Sequence, residues 1–132
     1  MGTPTSLVEQ RLFLALIGAQ ALHSVEEYFT RLYELFPPAR FISGLFTTDL
    51  RLGFAAFNLA LVALGVWCYA ARVRPSHPAA AGWIWFWAVL ELGNGAGHLA
   101  LAAYRGSYYP GAATAPLLIA AAVMLVYRKV RG

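Results

Sequence analysis

LGFAAFNLALVALGVWCYAA, Leu52 to Ala71, decides what class of fold this chain adopts. It holds no Asp, Glu, Lys, Arg or His, and its one amide is Asn58. As a helix rising about 1.5 Å per residue, a stretch of this length reaches about 30 Å, the thickness of a bilayer's hydrocarbon core. Outward from it the same character recurs: Ala79–Tyr104 and Ala112–Tyr127 are almost free of charge, and Leu12–Val25 has none unless His23 is protonated. Composition agrees. Of 132 residues 60% are hydrophobic and 12% charged, with mean hydropathy +0.59, whereas soluble domains carry about 25% charged residues. The expectation is an all-α polytopic membrane protein: a single four-transmembrane-helix bundle with spans at 7–35, 50–73, 80–104 and 112–129.

The spans are joined by LFPPARFISGLFTTDLR (Leu35–Arg51), RVRPSHP (Arg72–Pro78) and RGSYYPG (Arg105–Gly111), read as links because Pro and Gly sit best at helix ends. An alternative makes LFLALIG followed by AQA a secretory signal, but the helical pattern continues unbroken to Phe29 and the apolar core is short. Four spans put both termini on one side. That side carries Arg11, Arg72, Arg74, Arg128, Lys129 and Arg131, against Arg31, Arg40, Arg51 and Arg105 opposite, so the positive-inside bias makes the termini cytoplasmic. The net charge of +4 is spread over helix ends without a basic groove, which argues against nucleic acid as a partner. The lone Cys68 excludes an intramolecular disulfide. GWIWFW (Gly82–Trp87) reads as an interfacial aromatic belt.

Polar side chains inside spans are costly and persist where they face a bundle interior or one another. Here they are Gln20, His23, Glu26, Glu27 and Thr30 in the first span, Asn58 in the second, and Glu91, Asn94 and His98 in the third. Helical spacing puts His23, Glu26 and Glu27 on one face, and Glu91, Asn94 and His98 on another. Counting from Leu12, His23 lies about 16 Å deep and the two glutamates about 21 and 22 Å; counting from Gly82, Glu91, Asn94 and His98 lie at about 13, 18 and 24 Å; Asn58 falls at about 18 Å. Three helices therefore bring polar groups to one layer. Gly93, Gly95, Gly97, Ala100 and Ala103 beside them would let backbones approach closely. For any one of these polar residues, pairing along its own helix is a sufficient explanation; their shared depth is what points to a site.

His23-x-x-Glu26-Glu27, Asn94-x-x-x-His98 and Tyr108-x-Pro110-Gly111, in that order, resemble the signatures of the small bacterial integral membrane proteins named for their H-x-x-E-E motif (the HXXEE family). The resemblance spans Ala19 to about Gly111. It implies a membrane location and marks His23, Glu26, Glu27, Asn94, His98 and Tyr108 as signature positions; no activity is established for the family, so none is implied.

Two imidazoles and three carboxylates form a mixed nitrogen and oxygen donor set suited to a divalent metal, with zinc favoured and iron or manganese allowed. On that reading His23, His98 and Glu27 or Glu91 hold the metal, Glu26 is the general base, and Asn94 or Tyr108 polarises a substrate carbonyl. The enzyme would be hydrolase-like, acting on a lipid-like or isoprenoid-like hydrophobic small molecule from the bilayer. A dinuclear carboxylate site fits less well, since the fourth span offers no ligand. The depth difference of about 8 Å between His23 and His98 strains a mononuclear one. Two other classes are expected alternatives: a metal-free acid/base cyclase or isomerase using protonated glutamates, and a binding or proton-coupled transport protein, working as a homodimer.

Overall fold

The computed structural model describes residues 4–132, which are helical and joined by turns, with no strand among them. The helices are α1 (Leu7–Phe29), α2 (Leu32–Leu35), α3 (Pro37–Phe46), α4 (Leu50–Cys68), α5 (Ala80–Arg105) and α6 (Ala115–Arg131); α4 runs on into a π-helical turn, Tyr69–Val73. By length and composition one helix, α4 with that extension, is long and apolar enough to cross a membrane. It matches the expected second span of 50–73.

The ends of α1 follow from local chemistry. Ser6 caps it, accepting from the Glu9 N–H while the Glu9 carboxylate accepts from Ser6 N at 2.7 Å, a reciprocal capping box. At the other end the first span, expected to continue to 35, breaks after Phe29: Thr30 Oγ1 donates to Glu26 O at 2.7 Å, and Arg31 adopts a left-handed φ of 61°. The link expected over Leu35–Arg51 contains a helix instead. Pro37 and Pro38 occupy the first turn of α3, where a missing N–H costs nothing.

Four long helices form the body, with α1 packed between α4 and α6 and α5 against α6. Of the three glycines expected to admit a close neighbour, Gly95 does: a Cβ there would lie 2.8 Å from the Ile119 side chain and 3.0 Å from Ala115 O, whereas Gly93 and Gly97 have nothing within 4 Å. Trp87, expected in a surface belt, is fully buried and meets Phe13 edge-on at 6.5 Å. It belongs to an apolar core with Leu16, Ile84 and Leu125 towards the end of the bundle that holds the termini. Leu32, Tyr33, Phe54 and Tyr109 form a second core towards the other end. The polar residues lie in α1, α4 and α5 between these two cores.

Candidate functional site

The rings of His23 on α1 and His98 on α5 stand edge to face, 4.6 Å apart, with Glu27 one turn beyond His23. Glu27 Oε1 is 3.3 Å from His23 Nε2 and 2.9 Å from His98 Nε2. All three residues are buried. The separation of about 8 Å anticipated between the two histidines is corrected by where the helices start: counted from Leu7 and Ala80, they lie about 24 and 27 Å along their helices, a difference of about 3 Å.

The opposite edge of each imidazole is held by an acceptor. His98 Nδ1 lies 2.6 Å from Pro110 O, and a carbonyl only accepts, so Nδ1 carries the hydrogen. His23 Nδ1 lies 2.7 Å from Thr114 Oγ1, whose single proton goes to Glu26 Oε2 at 2.5 Å; the hydroxyl must therefore accept from Nδ1–H. Both Nε2 atoms are thereby turned inward. His23 Nε2 is buried and has no hydrogen-bond partner. Nitrogen lone pairs facing one carboxylate oxygen repel it unless positive charge, as protons or a metal ion, lies among them. His23, Glu27 and His98 each offer an atom within 4.8 Å of the others. Ligands about 2.0–2.1 Å from a tetrahedral zinc sit about 3.3 Å apart; the His23–Glu27 distance of 3.3 Å equals this and the His98–Glu27 distance of 2.9 Å is shorter, so the group could hold such an ion with a small shift of His98.

Gly111 closes the site. Its φ of 88° disfavours any side chain, and a Cβ would sit 2.5 Å from His98 Nδ1 and 2.8 Å from His23 Cε1. The chain thus turns directly across both rings, which is how Pro110 O and Thr114 Oγ1 come to flank them.

The other expected site residues are distributed differently. Glu26 accepts from Ala113 N at 3.1 Å, Thr114 N at 2.8 Å, Thr114 Oγ1 and the Tyr108 hydroxyl. With its lone pairs occupied it ties the α5–α6 connection to α1 and is not free to act as the general base expected of it. Tyr108 is 54% exposed and donates its hydroxyl to Glu26, away from the histidines. Partial burial and then the Glu26 carboxylate push its phenol pKa up, keeping it a donor. Glu91 is fully buried but outside the histidine group, next to Asn94 Nδ2 at 3.3 Å and the Gln20 amide. Gln20 continues to Ser24 and thence to Asn58 Oδ1, 2.7 Å from Ser24 Oγ. The polar layer is therefore two adjoining clusters.

Reading the sequence alone does not single out Thr114. Its signal is a hydroxyl residue immediately before a helix with proline in its first turn, and the expected role is a cap. Here the hydroxyl makes no cap bond and serves Glu26 and His23 instead.

No curated protein and no solved structure matches the chain. Residues 14–125, which contain every residue of both clusters, match the family described as "Protein of unknown function with HXXEE motif", and the chain belongs to that family.

Proposed function

We propose that the protein is a membrane-embedded, metal-dependent enzyme, hydrolase-like, acting on a lipid-like hydrophobic substrate, with His23, Glu27 and His98 as the metal ligands. The observation that carries this is the buried His23 Nε2, without a hydrogen-bond partner yet turned toward Glu27 and His98. A proton on that nitrogen would have no well-aimed acceptor, whereas a metal ion takes its ligands along their lone pairs. Acceptors at both Nδ1 atoms are the outer-shell partners that fix tautomer and ring orientation in histidine metal sites.

Bound there, zinc or a similar ion would polarise a carbonyl and raise the acidity of water. The chain's own residues do the rest. Pro110 O and the Glu26–Thr114 pair hold the imidazoles, and Asn94, whose Nδ2 is shared between Gln20 and Glu91, would offer its carbonyl oxygen to a polar substrate group in the cavity it lines.

The membrane reading has four spanning helices and both termini on the cytoplasmic side of a bacterial inner membrane. Large apolar side chains exposed along the middle of every long helix support it: Leu14 and Leu22 on either side of the midpoint of α1, Leu59 on α4, Val89 on α5 and Met124 on α6.

Metal analysis of the purified protein tests the centre. One equivalent of zinc, iron or manganese is expected per chain, falling at least tenfold in His23→Ala and His98→Ala. Sub-stoichiometric metal, unchanged in both variants, would leave the metal-free acid/base reading in its place.

A further inference from the structure

A cavity of about 160 Å³ leads from this centre toward α3. Its inner end is polar, formed by Gln20, Glu27, Asn58, Asn94 and His98; its outer walls are apolar, with Pro38, Ala39 and Ile42 of α3 facing Phe57 and Leu61 of α4. No Lys or Arg lines it. Apart from an ion held by His23, Glu27 and His98, no cation would therefore meet the head of a bound molecule there. The amides of Gln20, Asn58 and Asn94 supply hydrogen-bond donors and acceptors for a small polar head.

Size narrows the class further. At about 30 Å³ per water-sized group, the space admits about five such groups, enough for a small head and the first carbons of one chain. A sterol-sized ring system or a pair of acyl chains does not fit. The wall past which the rest of the chain would run is itself lipid-compatible: Phe41 and Leu45 on the outside of α3 are each 68% exposed, giving that helix one apolar face on the cavity and another outside, as in helices that lie at a membrane interface. Its seat is fixed, since Gly53 of α4 leaves no room for a Cβ beneath Ser43 O, which would be 2.0 Å away.

We infer that the site takes a single-chain amphiphile, a small polar head on one aliphatic chain, entering head first past α3. The inference rests on reading His23, Glu27 and His98 as the reacting centre. The experiment uses the full chain in detergent and a photoreactive decanol with a diazirine near the head, with cross-links mapped by peptide mass spectrometry. Cross-links are expected within residues 38–42 or 57–61. Excess decanol should suppress them at least fivefold, while cholesterol and a diacylglycerol should not. Ile42→Trp, which fills the cavity, should lower labelling at least fivefold; Ala39→Leu provides a milder second filling. Melting temperature and metal content of the same samples report folding and the centre. Labelling insensitive to both fillings in folded protein, or equal competition by cholesterol and the diacylglycerol, would overturn the inference. Bound metal without cavity labelling sinks the inference and leaves the centre standing; cavity labelling without metal does the reverse.

Discussion

Glu91 is wholly buried among amides, and its hydrogen bonds decide the direction of a chain that crosses three helices. Ser24 has one hydroxyl proton, and Asn58 Oδ1 uses it at 2.7 Å, while Asn58 Nδ2 donates to Phe54 O at 3.0 Å. Gln20 must then donate its NH2 to Ser24 Oγ, at 2.9 Å, which turns its carbonyl toward Glu91. That end of the amide lies 2.6 Å from Glu91 Oε2, a length typical of O–H···O, so a proton on Glu91 completes the chain. Glu91→Gln, which offers a fixed N–H in the same place, is expected to stay within about 1 kcal/mol of the parent, whereas Glu91→Ala and Gln20→Leu leave a buried partner unpaired and cost about 1–3 kcal/mol each. Denaturation in mixed micelles checks this; equal losses for Glu91→Gln and Glu91→Ala would show that the anion is required. Residue types and helical spacing made this layer legible in the sequence. They could not separate Glu26 from Glu27, because adjacent carboxylates on one helix differ only in which neighbour each one meets. That neighbour, the turn from Tyr108 to Thr114, lies about 80 residues further on.

The turn between α5 and α6 is the element on which the histidine geometry depends, and Gly111 is where it touches both rings. Gly111→Ala must place a methyl group within 2.5–2.8 Å of the imidazoles and hold a φ of 88°. A loss of about 2–4 kcal/mol is expected, together with at least a tenfold fall in metal affinity as the rings are displaced. Gly106→Ala is the control: its φ of 65° is also left-handed, but nothing lies within 4 Å, so about 1–2 kcal/mol is expected with metal affinity unchanged. Thermal melting and metal titration of the two variants separate backbone strain from ring displacement; equal metal affinities would remove Gly111 from the site. Sequence pattern recovers the long helices because their periodicity extends over many turns, with starts misplaced by a few residues. It misses α3, whose ten residues contain two prolines, a serine and a glycine. Each reads as a breaker until the prolines are seen as a first turn and Ser43 is buried with its hydroxyl returned to Ala39 O at 2.7 Å.

Across the whole molecule, cations gather at the bundle ends while the sides of the long helices are apolar, the distribution a bilayer selects. At about 1.5 Å per residue α4 with its π-helical turn is about 36 Å long, sufficient for a hydrocarbon core, and its direction fixes those of its neighbours. α1 and α5 carry the inward polar face, which lowers their mean hydropathy without making their outer sides less apolar: Leu14 and Val25, like Val89 and Leu99, remain exposed. α6 has 17 residues and ends in Arg128, Lys129 and Arg131. A four-span arrangement with cytoplasmic termini has a direct consequence: the α4–α5 connection lies on the side with six cations, and the α5–α6 connection on the side with four. In a Cys68→Ala background, Pro78→Cys and Ser107→Cys place single thiols at exposed positions in these two connections. With a membrane-impermeant maleimide, Ser107→Cys is expected to label in right-side-out vesicles and Pro78→Cys only in inverted ones. The reverse pattern would keep the four spans and invert the orientation. Labelling of both from one side would mean that α5 does not cross, and the polar layer would then have to be placed against a membrane surface instead of inside a bilayer.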